Sequence, residues 1–254
     1  LIFSIPLKWA RWRDFYCQNW EASISSYMML WQVGQVDHCG STLRASCSAL
    51  RSWNCSCQLR KTSQKCEPAN INHHFSNLYV MTDPLIKIHH HENVATILLN
   101  RAEKRNALSR ALLGELAQAL HDLSLEQKVR AVILSGSGPS FCAGMDLKEM
   151  AATAELADPH SQWSSDAKIY LEIIQTMLRF PKPLIAAVDG AAVAGGGGLV
   201  LACDLVVASH GARFGFPEPK RGIVAGIVAP LLSFRTRGSD AALMLLTGRI
   251  VDSS

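Results

Sequence analysis

Apolar and polar residues alternate in two short segments that follow residue 85. Residues 86–90 and 94–99 each show a period of two, and a polar His-Glu-Asn tripeptide separates them. This pattern predicts a β-hairpin. The three consecutive histidines at 89–91 could suggest a metal site. Neighbouring residues of one strand cannot converge on a single ion, however, so we interpret them as a solvent-exposed turn.

A helical period follows the hairpin. Ser109 has the chemistry of an N-cap, and the period predicts a helix that runs from there to about Leu123. Its predicted apolar face consists of Leu112, Leu113, Leu116, Ala119, Leu120 and Leu123. Further strands are predicted at 129–135, 184–188 and 204–208, with another helix at about 161–179. Strands that alternate with helices in this way indicate an α/β fold.

Residues 1–80 differ from the rest because they show no sustained helical or strand period. They contain six of the eight cysteines and five of the six tryptophans. One interpretation is a disulfide framework, although no secretion signal is visible. A second is a zinc site, although its C-x-C spacing departs from the usual C-x₂-C pair. Its candidate ligands are Cys55, Cys57, Cys66, His73 and His74.

The third interpretation of residues 1–80 is an irregular N-terminal extension that is not a functional domain. We favour it because Met81-Thr82-Asp83-Pro84 resembles a natural chain start and periodic sequence begins directly after it. Charge follows the same division. Residues 1–80 carry 8 Lys+Arg against 4 Asp+Glu, so the net charge of +4 arises there and residues 81–254 are neutral.

Composition excludes several classes of protein. A hydrophobic content of 48% excludes a disordered chain. No apolar run reaches the roughly 18 residues that a membrane span requires. The neutral body lacks the basic face that nucleic acid requires. No recognisable signal peptide precedes it, so a cytoplasmic location is expected.

A glycine-rich turn at residues 189–198 lies between a predicted strand and an apolar helical segment at 199–203. Consecutive glycines leave backbone N–H groups uncovered, and a helix start adds partial positive charge, so this turn could bind an anion or an oxyanion. The alternative is that the glycines only permit close packing of helix and strand. The turn lacks both the P-loop pattern and the setting of a dinucleotide-binding turn.

Another turn, F-C-A-G-M-D-L-K-E-M at 141–150, also follows a strand and precedes a helix. Together with R-A-E-K-R-N-A-L at 101–108, D-G-A-A-V-A-G-G-G-G at 189–198, A-C-D-L at 202–205 and F-G-F-P-E at 214–218, it resembles the enoyl-CoA hydratase/isomerase (crotonase) superfamily. The resemblance covers about residues 85–252. It implies a crotonase-like α/β fold of ββα units, with parallel sheets flanked by helices.

The resemblance also carries expectations about assembly and ligands. Residues 81–254 would form the core and stop before the C-terminal helices with which family members build trimers. A homotrimer or hexamer is therefore expected only if those helices are present. The substrate would be an acyl-coenzyme A thioester. No cofactor, metal, nucleic acid or membrane partner is expected.

The resemblance assigns roles to named residues of the two turns. The backbone N–H groups of Met145 and Gly195 would polarise the thioester carbonyl. The coenzyme A site would be lined by Ala143, Met145, Asp146, Leu147, Lys148, Gly195 and Gly196. Lys104 and Arg105 are candidates for the coenzyme phosphates, although a solvated charge pair is an equal alternative. For Asp146, a role in capping its loop is favoured over catalysis.

The acid–base residues depart from the family pattern. Hydratases of this family use two glutamates, of which Glu218 is present, whereas the other position falls at Gly198. A hydratase that relies on Glu218 alone, as in methylglutaconyl-CoA-type relatives, remains open. A Δ3-Δ2 enoyl-CoA isomerase also remains open, with hydration modestly favoured. A non-catalytic acyl-CoA-binding or interaction protein is the alternative of another class.

Overall fold

An antiparallel hairpin is the first element of the computed structural model, which describes residues 83–253. Strands β1 (Ile86–His91) and β2 (Val94–Leu99) pair along their full length, which confirms the predicted hairpin. The histidines at 89–91 are exposed, but they form the end of β1 rather than a turn. The ladder extends this far because Glu92, at φ 51°, and its neighbour complete the turn alone.

The remaining elements form an α/β arrangement with two sheets. In chain order they are α1 (Arg110–Leu125), β3 (Ala131–Gly136), α2 (Leu147–Ala154), α3 (Pro159–Leu178), β4 (Leu184–Val188), β5 (Ala191–Val193), α4 (Gly195–Ala202), β6 (Leu205–Ala208), β7 (Arg213–Gly215), α5 (Ala229–Arg235), α6 (Gly238–Thr247) and β8 (Ile250–Asp252). The larger sheet has the order β1-β2-β3-β4-β6 and is parallel from β2 onwards. The smaller sheet has the order β5-β7-β8.

Helix α1 forms as the sequence predicts. The Ser109 side chain accepts a hydrogen bond from the Leu112 N–H and so caps the first turn. The six residues of the predicted apolar face are the buried residues of this helix. They pack against the hairpin and α3, so burial of this face joins the larger sheet to its helical layer.

Several sequence-based boundaries differ from the structure, as for β6, which begins at Leu205 rather than at 204, and for α3, which begins at Pro159 rather than at about 161. Strand β3 begins at Ala131 rather than at 129. Helix α4 begins at Gly195, so the four glycines form its first turn instead of preceding it. Packing overrides the low helix propensity of glycine there, because a side chain at Gly196 would overlap the Cys142 carbonyl oxygen. Strands β5, β7 and β8 and helices α5 and α6 were also not predicted.

Two predictions lie outside the described residues. These are the extension proposed for residues 1–80 and its alternatives, including the zinc ligands at Cys55, Cys57, Cys66, His73 and His74. Within residues 83–253, no helix is long and apolar enough to cross a membrane.

Candidate active site

The two glycine-containing turns, the first at residues 141–146 and the second at residues 189–195, lie against each other. Strand β5 and the Cys142 backbone exchange hydrogen bonds, from the Cys142 N–H to the Ala191 carbonyl and from the Val193 N–H to the Cys142 carbonyl, each 3.0 Å. Gly144, at φ +87°, lies against the second turn. A Cβ added to it would stand 2.7 Å from the Ala194 Cβ and 3.1 Å from the Gly195 nitrogen. This close approach places Met145 beside Gly195.

The N–H groups of Met145 and Gly195 have no hydrogen-bond acceptor among residues 83–253. The flanks of Met145 are fixed, since the Leu108 N–H donates to the Gly144 carbonyl at 2.8 Å and the Asp146 N–H donates to the Leu108 carbonyl at 3.1 Å. Gly195 is the first residue of α4, where an N–H has no partner within its own helix. The structure therefore brings together the two donors that the family resemblance paired.

Asp146 caps α2 directly after Met145, in agreement with the capping role predicted for it. Its carboxylate accepts hydrogen bonds from the Lys148 and Glu149 N–H groups and, at 2.6 Å, from Arg101 Nη1. Burial acts to raise the pKa of this carboxyl. The hydrogen bonds and the Arg101 charge outweigh burial and lower the pKa below its usual value. The first turn is thus fixed by a charged pair at its end.

Asn106 is a buried structural residue that the sequence reasoning missed. Its side-chain amide donates to the carbonyls of Ser137, Ser140 and Phe141, and its Oδ1 accepts from the Arg101 N–H. The sequence signal that could have indicated this role is a single asparagine within the charged segment 101–108. This one side chain fixes the segment 101–108 against the first turn.

The predicted coenzyme A residues have different surroundings. Lys104 and Arg105 are exposed, and the Arg105 carbonyl accepts a hydrogen bond from the Ala143 N–H at 3.0 Å. The basic pair therefore lies next to the first turn. Ala143 and Met145 are half-buried, and Gly196 is fully enclosed. Leu147 and Lys148 are exposed at the start of α2. Gly196 therefore has little surface to offer a ligand, and the coenzyme role of the other residues stays a prediction.

Glu218 begins a 3₁₀ helix (Glu218–Arg221) that follows β7. Its Oε2 atom is buried and has no hydrogen-bond partner in the described part of the chain. Burial raises the pKa of this carboxyl, partly offset by a hydrogen bond from its own backbone N–H. The segment lies against the second turn, because the Ala194 N–H donates to the Gly215 carbonyl at 2.9 Å and Phe216 packs on Gly197.

A tyrosine occupies the space beside Gly198, where the family's other glutamate would start. A Cβ added to Gly198 would overlap Tyr170 Oη and Val228 Cγ1. The Tyr170 hydroxyl donates to the Gly195 carbonyl at 2.6 Å. Burial, then the nearby Cys142 and Glu218, raise the pKa of this phenol well above its usual value. The sequence reasoning missed Tyr170 because nothing in its helical context distinguishes it from a core residue.

Among residues 83–253, no three side chains of the metal-binding types come together. The arrangement instead offers two uncovered backbone N–H groups, a buried carboxyl of raised pKa and a buried tyrosine hydroxyl. Chemically, such a set can stabilise an oxyanion and move one proton.

Comparison with known proteins identifies the family of this chain. Residues 89–253 match the sequence profile of the family described as enoyl-CoA hydratase/isomerase. A Thermus thermophilus protein whose name assigns it provisionally to the enoyl-CoA hydratases is 44% identical over 162 residues, covering 63% of each chain. A crystal structure of an enoyl-CoA hydratase from Mycobacterium smegmatis aligns with a TM-score of 0.64 at 37% identity. That alignment covers 67% of this chain and 65% of the other.

A third relative shows that likeness of this degree extends to other reactions. The 4-chlorobenzoyl coenzyme A dehalogenase-2 of Arthrobacter is 40% identical over 133 residues, which cover 52% of this chain and 48% of the dehalogenase. The matched part of this chain spans slightly less than two thirds of the length of the Thermus and Mycobacterium proteins.

Proposed function

The chain belongs to the enoyl-CoA hydratase/isomerase family, and we propose that it is a hydratase-like enzyme that adds water to a 2-enoyl-coenzyme A thioester. The observation that carries this proposal is the pair of uncovered N–H groups of Met145 and Gly195 beside the segment of Glu218, whose Oε2 atom is buried and unpartnered. A protein that only binds acyl-CoA needs no buried carboxyl of raised pKa.

The proposed role of the two turns is electrostatic. The thioester oxygen accepts hydrogen bonds from the Met145 and Gly195 N–H groups, and these bonds strengthen as the oxygen acquires charge in the enolate. Gly195 is also the first residue of α4, so the partial positive charge at the N-terminus of this helix stabilises the same oxygen. Each preorganised donor of this kind lowers a barrier by about 3–4 kcal/mol.

The proposed role of Glu218 is to move one proton in two steps. The carboxylate first accepts a proton from water while the water oxygen bonds to C3, and the C2=C3 electron pair moves into the enolate. The resulting carboxylic acid then returns its proton to C2, which restores the thioester carbonyl and the carboxylate. The raised pKa of Glu218 favours the first step, because a carboxylate of higher pKa is a stronger base toward the water proton.

Isomerisation is the second candidate reaction, and the absence of a side chain at Gly198 favours it. One carboxyl is sufficient for this reaction. It removes a proton from C2 of a 3-enoyl thioester and returns it to C4 of the resulting enolate. A methylglutaconyl-CoA hydratase would use the hydration steps with a branched acyl chain. An acyl-CoA-binding protein without catalytic activity would require only the two turns.

The remaining proposals concern ligands and assembly. We propose that coenzyme A binds along Ala143, Asp146, Leu147 and Lys148, with Lys104 and Arg105 as candidate phosphate contacts. Since the coenzyme arrives with the substrate, we propose no additional cofactor. The cytoplasmic location and the trimeric or hexameric assembly expected from the sequence stay predictions.

An absorbance assay on the full chain tests the proposed function. The substrates are crotonyl-CoA, 3-methylglutaconyl-CoA and a 3-enoyl-CoA. Loss of the 2-enoyl thioester band from either of the first two indicates hydration, whereas appearance of that band from the third indicates isomerisation. If the band changes with none of them while acyl-CoA still binds, the non-catalytic alternative replaces the proposal.

A further inference from the structure

The Tyr170 hydroxyl reaches from the middle of α3 to the start of α4. Tyr170 is only 4% exposed, and its Oη atom donates to the Gly195 carbonyl at 2.6 Å. Gly195 is the same residue whose N–H is uncovered at the candidate active site. A long-range side-chain bond therefore ends on the residue that supplies one of the two proposed oxyanion donors.

Helix α4 needs such a restraint because its first turn consists of four glycines. Glycine in a helix interior costs about 1 kcal/mol relative to alanine, since its backbone loses more conformational freedom than that of other residues. The N-terminus of α4 also lacks a side-chain cap, because Ala194 occupies the N-cap position. Contacts from other elements must therefore fix its geometry, and Tyr170 contributes a hydrogen bond among them.

The same hydroxyl explains the glycine at 198. A Cβ at this position would overlap Tyr170 Oη and Val228 Cγ1, whereas the phenol Cζ would stand at an ordinary 3.4 Å. Removing the oxygen of Tyr170 would therefore relieve the contact from that side. The tyrosine hydroxyl and a side chain at 198 compete for one volume, so each excludes the other.

We propose that Tyr170 is a positioning residue that orients the first turn of α4 for the oxyanion donor at Gly195, and that its hydroxyl requires glycine at 198. This inference rests on the proposed function for its kinetic consequence, but not for its structural one. The raised pKa of the phenol keeps it protonated, so it remains a hydrogen-bond donor at every pH at which Glu218 titrates. Glu218 is then the one carboxyl of the proposed site, because the Tyr170 hydroxyl occupies the space in which a second carboxyl side chain would begin at 198.

The kinetic test compares Tyr170→Phe with the unaltered full chain. The variant keeps the ring and loses only the hydroxyl. We expect kcat to fall about tenfold, less than for loss of a direct donor, with KM changed less than about twofold. Ser135→Ala is the matched control, because it also removes one hydroxyl bond to a backbone carbonyl, that of Ala187. Equal kcat values for Tyr170→Phe and the control would overturn the positioning role.

A stability cycle tests the exclusion between Tyr170 and Gly198 without any substrate. All variants carry Val228→Ala, which removes the second overlapping atom. We expect Gly198→Ala to lower the urea midpoint of unfolding when Tyr170 is present and to leave it unchanged or higher in the Tyr170→Phe background. An equal loss in both backgrounds would overturn the proposed competition.

Amide hydrogen exchange at Gly198, whose N–H donates to the Ala194 carbonyl at 3.1 Å across the first turn of α4, separates this inference from the proposed function. Faster exchange in Tyr170→Phe than in Ser135→Ala is expected even if no enoyl thioester is turned over. If exchange is unchanged, Tyr170 does not restrain the turn, whatever reaction the protein catalyses. If exchange is faster and turnover is absent from the unaltered chain, the proposed function fails and the restraint stands.

Discussion

The first turn, residues 141–146, and the second turn, residues 189–195, each present one uncovered N–H, but they are fixed by different means. Side chains fix the first turn: Asp146 caps the following helix and binds Arg101, and Asn106 donates to three carbonyls near its start. The second turn carries mostly small side chains, and its one polar side chain, Asp189, accepts a hydrogen bond from the Ser209 hydroxyl at 2.6 Å. Its geometry depends on backbone pairing with Cys142 and Gly215 and on the distant Tyr170.

This difference indicates where each turn is sensitive to substitution. In the first turn, stability depends on a charge pair and on buried amide bonds that a single local substitution can remove. In the second turn, small residues permit the close approach, so added atoms are harmful and the decisive contacts come from other elements. Each turn therefore orients one N–H group, the first through side-chain bonds and the second through close packing and contacts from other elements.

Glu218→Gln is expected to have the largest effect, because it leaves both turns intact and removes proton transfer alone. Glutamine keeps the size of the side chain but cannot accept and return a proton. We expect kcat to fall by about 10²–10⁴ with KM for the thioester little changed. Glu172→Gln on the exposed face of α3 is the control. Turnover that survives in Glu218→Gln would show that the turns act with another acid–base group.

The pH dependence of the same variant gives a second measurement. Burial raises the pKa of Glu218 above its ordinary value of 4.5, so the acid limb of kcat/KM should lie above that pH in the unaltered protein. The fold favours the protonated form, and ionisation therefore reduces the free energy of unfolding as the pH rises. Glu218→Gln should be the more stable protein at neutral pH, with the difference vanishing in acid. If the free energy of unfolding of both proteins depends equally on pH, the raised pKa of Glu218 is contradicted.

Gly195→Pro tests the second turn and comes next in size. Proline is accepted at the first position of a helix and removes the N–H. We expect kcat to fall by about 10²–10³. Gly195→Ala is the matched control, because it keeps the N–H and its Cβ would meet Leu108 Cδ1 at 3.3 Å, which requires only a slight shift. Circular dichroism checks that both variants fold, and equal turnover in the two would remove Gly195 from the proposed oxyanion hole.

Asp146→Ala tests the first turn through stability. The variant loses a helix cap and leaves Arg101, whose side chain is 18% exposed, without its carboxylate. We expect the free energy of unfolding to fall by about 2 kcal/mol in urea denaturation. Because the pKa of Asp146 is lowered in the folded protein, its contribution is present above the ordinary aspartate pKa and is lost as the pH falls through the folded value. A loss that persists unchanged in acid would contradict this origin.

Ala194→Gly is expected to have the smallest effect and the opposite sign. Ala194 adopts φ 52° and ψ −127°, a conformation that suits glycine better than alanine. We expect a gain of up to about 1 kcal/mol in the free energy of unfolding, reduced by the greater freedom of glycine in the unfolded chain. A loss of stability would mean that the contact between the Ala194 Cβ and Gly144 outweighs the strain.

The sequence predicted the parts of the fold in which neighbouring residues carry the signal. Helix α1 is one such case, because its cap at Ser109 and its leucine face lie within one segment. The pairing of Met145 with Gly195 came from the family resemblance, and the structure brings them together. The start of α4 and the role of Tyr170 could not be predicted in this way. Both depend on contacts between residues about 25 or more positions apart, which no local period reports.

The central claim is that two N–H groups, one from each turn, polarise the same thioester carbonyl. An isotope-edited infrared spectrum of ¹³C-carbonyl crotonyl-CoA bound to Glu218→Gln tests it directly, because this variant should bind the thioester without turning it over. We predict a carbonyl stretch at lower frequency than in free solution, with a smaller shift when Gly195→Pro is added. A bound carbonyl that absorbs at the solution frequency would contradict the account.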